Sequence, residues 1–98
     1  MESLEEMRKS IDNIDNAIVA MFAERFKVTD RVGHYKAERG LPAKDPKRES
    51  IQFERIDQLA KQYGLDPEFA ASYLSSVIDR VVMNHERIAM TNARNRAD

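Results

Sequence analysis

Residues 4–39 read LEEMRKSIDNIDNAIVAMFAERFKVTDRVGHYKAER, and this stretch decides the fold because it predicts one uninterrupted helix. It contains no proline, and its apolar residues recur at spacings of three and four, the period of an α-helix. These residues are Leu4, Met7, Ile11, Ile14, Ile18, Met21, Phe22, Val28, Val32 and Tyr35. Such a helix is roughly 54 Å long, whereas a compact chain of this size has a radius of gyration of about 13 Å. We therefore predict an intertwined helical homodimer.

Local signals divide the chain into one very long helix and two shorter ones, which makes the fold class all-α. The predicted helices cover about residues 4–39, 46–63 and 67–91. Ser3 and Glu6 form a capping box at the start of the first helix, and Asp45 is the N-cap of the second helix. Gly40 and Gly64 end these two helices. The polar tail after residue 91 is expected to fray. The apolar sides of helices 2 and 3 comprise Ile51, Ile56, Leu59, Tyr63, Phe69, Tyr73, Leu74, Val77, Ile78, Val81 and Ile88.

The composition describes a single domain over residues 1–98 and excludes several classes of protein. Hydrophobic residues make up 42% and charged residues 34%, which excludes disorder, and no apolar run is long enough to span a membrane. A net charge of −1 argues against nucleic-acid binding. The chain has no cysteine and only two histidines, so we expect no metal site. The start MESLEEMRKS lacks an export signal, which predicts a cytoplasmic protein.

Two cations on one side of the long helix indicate a site for an anion. Arg25 and Lys36 are eleven residues apart, so they share a helix face and lie about 17 Å apart along the axis. The residues between them on this face are mostly apolar, and no carboxylate interrupts them. Gly33 is expected to permit a close approach of another segment. Arg8 lies about 26 Å from Arg25 along the axis and can reach this site only from a partner chain.

A second cluster and a histidine complete the candidate site residues. Asp45, Arg48 and Glu49 fall in the first turn of helix 2, which the short loop folds back towards Lys36. Each of the three also has a plain explanation, as an N-cap or as a solvated charge. His85 lies on the apolar side of helix 3, where a histidine is more often a core residue than a catalytic one.

Together these residues resemble the all-helical class of chorismate mutases, and the resemblance covers residues 5–90. The fragments that carry it are Met7-Arg8, Ile14-Asp15, Ala23-Glu24-Arg25, Val32-Gly33-x-x-Lys36, Pro42-x-x-Asp45-x-x-Arg48-Glu49 and Gly64-Leu65-Asp66. The resemblance implies a homodimer with two equivalent sites. It also implies a [3,3]-sigmatropic rearrangement of chorismate to prephenate, an isomerase reaction of aromatic amino acid biosynthesis that uses no metal and no cofactor.

The resemblance also implies a role for each site residue. Arg25 and the partner chain's Arg8 would bind the carboxylates of chorismate, and Arg48 would help to neutralise the dianion. Lys36 would donate to the ether oxygen. Glu49 would accept from the ring hydroxyl, with Asp45 near the same group.

Two positions depart from the family pattern. His85 stands where many members carry glutamine as a second donor to the ether oxygen, and we expect it to donate there as well. The bound dianion would favour its protonated form, so turnover would fall as pH rises through the histidine range. Val81 stands where some members carry a serine near a substrate carboxylate, so that contact would be lost or replaced by backbone.

Three other functions stay open. Isochorismate–pyruvate lyases share the fold but lack the acidic residue at the position of Asp45, and aminodeoxychorismate mutases usually lose the Asp-x-x-Arg-Glu pattern that residues 45–49 keep. A non-catalytic helical dimer would leave Arg25, Lys36 and Arg48 as surface charges. The sequence does not show whether an enzyme of the shikimate pathway acts as a regulatory partner.

Overall fold

The computed structural model describes residues 1–97 and consists of three α-helices. Helix α1 spans Leu4–Glu38, α2 spans Pro46–Tyr63 and α3 spans Pro67–Ala97. Residues 1–97 contain no strand, so the all-α prediction is confirmed. None of the helices in this range combines the length and the apolar character that crossing a membrane requires.

The ends of the helices follow from the residues that flank them. The Glu6 amide donates to Ser3 Oγ at 3.1 Å and the Ser3 amide donates to Glu6 Oε2 at 3.4 Å, which closes the predicted capping box. Asp45 is the N-cap of α2, and a proline follows it at the first helical position. Gly64 ends α2 in the left-handed region with φ of 71°, a conformation that glycine adopts without steric cost.

Helix α3 is the centre of the fold because it packs against both α1 and α2. It runs parallel to α1, since Thr29 on α1 contacts His85 and Ala37 farther along α1 contacts Asn92. The buried apolar residues lie on α2 and α3; they are Ala60, Ala70, Leu74, Val77 and Ile78. This small core fixes one side of α3 against α2 and leaves another side for α1.

The end of α3 differs from the expected frayed tail. The helix continues to Ala97 because its last turns hold the carboxyl end of α1. Asn92 Nδ2 donates to the Ala37 carbonyl at 3.3 Å, and Arg96 donates to the Glu38 carbonyl at 2.9 Å. Carbonyls in the last turn of a helix have no partner within that helix, so these two side chains stabilise both helix ends. Asp98 lies outside the described residues.

Helix α1 extends well beyond the small core. The chain measures 65 × 27 × 15 Å and its radius of gyration is 17.7 Å, against about 13 Å for a compact chain of this length. The apolar stripe of the first half of α1 is exposed: Leu4 57%, Met7 43%, Ile11 56%, Ile14 58% and Ile18 46%. A single chain therefore leaves this stripe without a packing partner.

Some predicted apolar sides are only partly covered. Ile56 and Leu59 of α2 are half-buried, but Ile51 and Tyr63 are exposed. Phe69 at the start of α3 is exposed as well. The reason is that α2 packs against α3 alone, so residues at the edges of its apolar stripe have no neighbour within the chain.

Candidate active site

A cleft of about 80 Å³ lies where the three helices meet, and charged residues from separate parts of the sequence line it. Six residues predicted for the site are among these lining residues: Arg25, Lys36, Asp45, Arg48, Glu49 and Val81. The others are Thr29, Ala43, Gln52, Ile78 and Val82. The structure thus brings together the cations of α1 and the first turn of α2.

Helix α1 supplies Arg25 and Lys36, both half-buried on the face that looks towards α3. Lys36 Nζ donates to the Ala43 carbonyl at 3.1 Å and lies 3.4 Å from His85 Nδ1. The ammonium has three N–H groups, so one stays available to a ligand in the cleft. The guanidinium of Arg25 offers a planar fork suited to a carboxylate.

The first turn of α2 supplies the acidic side of the cleft. Asp45 Oδ1 accepts from the Arg48 amide at 3.1 Å, so the helix start fixes the side chain of this residue. Both carboxylate oxygens of Glu49 accept from Lys44 Nζ at 3.1 Å. The Glu49 side chain is 19% exposed and that of Lys44 is 61% exposed, so the carboxylate faces inward while the lysine covers it from the rim.

Sequence reasoning missed Lys44 and Gln52. Lys44 immediately precedes the N-cap Asp45, and Gln52 lies one helical turn after Arg48. The turn spacing is the signal that would have found Gln52, because residues four apart share a helix face. No comparable signal exists for Lys44, whose contact with Glu49 depends on the path of the loop.

The charges of the cleft suit an anion that also carries a hydroxyl group. Three cations and two carboxylates line it, and Lys44 adds a further positive charge at the rim. The cations favour a bound dianion, and electrostatic attraction is stronger in a partly desolvated cleft than in water. The carboxylates are acceptors for a hydroxyl proton.

His85 lies beneath the cleft and does not line it. Its side chain is almost fully buried, with 4% exposure. His85 Nε2 lies 2.7 Å from the Thr29 carbonyl, and Nδ1 faces Lys36 Nζ. Because a carbonyl only accepts and an ammonium only donates, these two contacts suit an imidazole that carries its proton on Nε2.

Gly33 explains how the imidazole fits against α1. A Cβ at this position would lie 2.7 Å from His85 Cδ2 and 2.9 Å from Ile88 Cδ1. The expectation that this glycine permits a close approach is therefore confirmed.

Arg8 is not part of the cleft of its own chain. It lies exposed near the amino end of α1, about 26 Å along the axis from Arg25. Within residues 1–97, no ion pair involves Arg8. Its predicted role therefore stays tied to a second copy of the chain.

Comparison with known proteins identifies the family. The profile described as "Chorismate mutase type II" matches residues 7–86. The chain belongs to the type II chorismate mutase family. The match includes every residue of the cleft and also Arg8.

Curated relatives of this type II chorismate mutase family member differ in length and in the activity that their names give. A chorismate mutase of Methanocaldococcus jannaschii is 35% identical over 79 residues, which cover 81% of this chain and 80% of that protein. A bifunctional chorismate mutase/prephenate dehydratase of Aquifex aeolicus is 36% identical over 89 residues, covering 89% of this chain but 25% of that protein. A 4-amino-4-deoxychorismate mutase of Streptomyces venezuelae is 25% identical over 97 residues, covering 93% and 94%.

Proposed function

We propose that this chain is an isomerase that converts chorismate to prephenate. The observation that carries the proposal is the convergence of Arg25, Lys36, Arg48 and Glu49 on one cleft in a member of the type II family. The likeness to a chorismate mutase over 80% of that protein's length supports the same reaction.

In this reaction the protein forms no covalent bond with the substrate. The ether bond between ring and enolpyruvyl group breaks while a carbon–carbon bond forms at the ring carbon that bears the carboxylate. Both steps occur within one molecule, so the protein contributes by holding the compact reactive conformer and by stabilising charge that develops on the ether oxygen. A rigid cleft with cations at fixed positions can do both.

Each cation has a place in this scheme. Arg25 binds one substrate carboxylate through its planar fork, and Arg48 at the opposite wall neutralises the remaining charge. Lys36 places its free N–H at the ether oxygen, where negative charge grows as the bond breaks. The ammonium therefore stabilises the transition state more than the bound substrate.

The acidic residues recognise the hydroxyl substituent of the substrate ring. Glu49 accepts a hydrogen bond from the ring hydroxyl, with Asp45 near the same group. Lys44 orients the Glu49 carboxylate before the substrate binds, because it donates to both oxygens. The serine contact of some family members is absent at Val81, which offers only apolar surface.

The working enzyme is a homodimer whose sites are completed by Arg8 from the partner chain. An apolar groove of about 880 Å³ runs beside the cleft, and Arg25 lines both. Its other lining residues are Ile14, Ala17, Ile18, Met21, Phe22, Glu24, Val28, Leu65, Phe69 and Tyr73. A helix of a second copy seated in this groove would cover the apolar stripe of α1 and can bring Arg8 to the open side of the cleft.

A second candidate is the rearrangement of 4-amino-4-deoxychorismate, because a relative with that name aligns over 94% of its length. The retained Asp45, Arg48 and Glu49 favour the hydroxyl-bearing substrate, since the resemblance associates loss of this pattern with the amino substrate. A cytoplasmic location and a role in aromatic amino acid biosynthesis complete the proposal.

The experiment is to incubate purified protein with chorismate and follow the loss of its ultraviolet absorbance, with prephenate identified by NMR. Parallel reactions contain 4-amino-4-deoxychorismate or isochorismate, the latter with an assay for pyruvate release. We expect turnover of chorismate with a kcat/KM at least tenfold above that of either analogue. No turnover of chorismate would refute the proposal and leave the non-catalytic dimer.

A further inference from the structure

We infer that His85 is a positioning residue, which holds Lys36 in place and does not itself contact the substrate. The inference rests on the proposed function, because the position of Lys36 affects turnover only if the cleft carries out the rearrangement. It departs from the direct donation to the ether oxygen that the family resemblance implies for this position.

The two polar neighbours of His85 favour one tautomer of its ring. A carbonyl oxygen only accepts, so the 2.7 Å contact with the Thr29 carbonyl requires a proton on His85 Nε2. An ammonium only donates, so the 3.4 Å contact with Lys36 Nζ requires Nδ1 to carry no proton. In this tautomer the imidazole is neutral and its single N–H is used by the Thr29 carbonyl, so no N–H is left for a ligand.

Lys36 is anchored from two separate elements. Its Nζ donates to the Ala43 carbonyl in the loop after α1 and to His85 Nδ1 on α3. A lysine stem is flexible and its ammonium rotates freely, so two fixed acceptors decide where the third N–H points. Lys36 lines the cleft, and this third N–H is the one that serves the substrate.

The imidazole is closely packed against α1 and has little room to move. It is 4% exposed and lies against Gly33, where even a methyl group would come within 2.7 Å of Cδ2. Thr29 and Gly33 are one helical turn apart on α1, so the same turn of helix supplies the carbonyl partner and the flat surface for the ring. The imidazole is thereby buried beneath the cleft instead of being aimed into it.

The direct test is a double-mutant cycle with His85→Leu and Lys36→Met, measured as kcat for chorismate. Lys36→Met is expected to lower kcat about 10²–10³-fold, the loss typical of one donor to developing negative charge. His85→Leu alone is expected to lower kcat by roughly ten- to a hundredfold through misplacement of the ammonium, with KM changed much less.

The cycle distinguishes positioning from direct contact. In the Lys36→Met background, His85→Leu is expected to cause no further loss of kcat. A further loss as large as that in the native background would overturn the inference, because it would show that His85 acts on the substrate independently of Lys36.

A matched pair of variants separates the acceptor from the volume of the side chain. Asparagine and leucine have the same branched shape, but in His85→Asn an oxygen stands where Nδ1 stood and can accept from Lys36. We expect His85→Asn to keep a kcat several-fold above that of His85→Leu, compared per folded protein by circular dichroism. Equal kcat in the two variants would contradict the inference.

The ¹⁵N NMR spectrum of the histidine ring shows which ring nitrogen carries the proton, and it can be recorded without any substrate. We expect a protonated Nε2 and an unprotonated Nδ1 for His85 in the native protein at neutral pH, and a protonated Nδ1 would overturn the inference. If this tautomer is found but native protein does not turn over chorismate, the proposed function fails while the hydrogen-bond network stands.

Discussion

The two halves of α1 follow the same helical period but have different surroundings. Every residue from 1 to 21 is exposed, whereas the second half contains buried or half-buried residues at helical spacing. Those residues are Phe22, Arg25, Phe26, Thr29, Asp30, Gly33, Lys36 and Ala37. The comparison teaches that this chain supplies packing for only half of its longest helix, and that the half it packs is the half that carries the cleft.

The exposed half has the pattern of a helix that pairs with another helix. Its apolar residues alternate at spacings of three and four, the repeat of a coiled-coil seam; they are Leu4, Met7, Ile11, Ile14, Ile18 and Met21. A stripe this long on a monomer is an interaction surface. The first half of α1 is therefore the dimerisation surface that we propose, and the second half is the scaffold of the cleft.

The largest effect is expected from a charge placed in the dimerisation surface. Ile14→Glu would bury a carboxylate without a partner, at a cost of several kcal/mol in dimer stability. We expect a monomer by light scattering and at least a hundredfold loss of activity at micromolar protein. Asn16→Glu, on another side of the same turn, is the matched control and should stay dimeric. If Ile14→Glu were still an active dimer, the exposed stripe of α1 would not be the dimerisation surface.

In the scaffold half, removal of one ammonium should affect chemistry and leave assembly unchanged. Lys36→Met is expected to lower kcat by about 10²–10³-fold while the protein stays dimeric. Lys27→Met is the control, because that lysine is 70% exposed and pairs only with Glu24 at the surface; its kcat should match the native value. If Lys27→Met were as damaging as Lys36→Met, the cleft would not be the site.

A methyl group at Gly33 tests the close approach of α1 and α3. Gly33→Ala would place a carbon 2.7 Å from His85 Cδ2, and this overpacking should destabilise the fold by about 1–3 kcal/mol. We expect a lower midpoint in urea unfolding and a lower kcat, because the displaced imidazole releases Lys36. Arg31→Ala, at an exposed position nearby, should change neither quantity.

The smallest effect is expected at the amino end of α1. Ser3→Ala removes the acceptor of the Glu6 amide and should lower stability by about 1 kcal/mol, with kcat unchanged. Thermal unfolding of the dimer measures this, and Ser10→Ala is the control because its hydroxyl bonds only to a carbonyl already used by the helix. A change in kcat for Ser3→Ala would mean that the two halves are coupled.

The sequence predicted most helix ends and the shared face of Arg25 and Lys36 because both depend on local rules. Ser3, Asp45 and Gly64 mark helix ends through their own backbone contacts, and the eleven-residue spacing places Arg25 and Lys36 on one face. These features need no knowledge of which segments pack together.

Contacts between distant segments were beyond the same reasoning. The spacing on α3 placed His85 on an inward face, but only its packing against Thr29 and Gly33 decides where its nitrogens point. The end of α3 likewise depends on carbonyls of α1 that accept from Asn92 and Arg96. In both cases the deciding partner is more than fifty residues away in the sequence.

The central claim is that each site joins the cleft of one chain to Arg8 of another, and mixing two inactive variants tests it directly. Arg8→Ala and Arg25→Ala are unfolded together and refolded, so that heterodimers form. In a twofold dimer, random pairing leaves one intact site in half of the dimers, so we expect about a quarter of native activity. Activity no higher than the mean of the two variants alone would contradict the shared site.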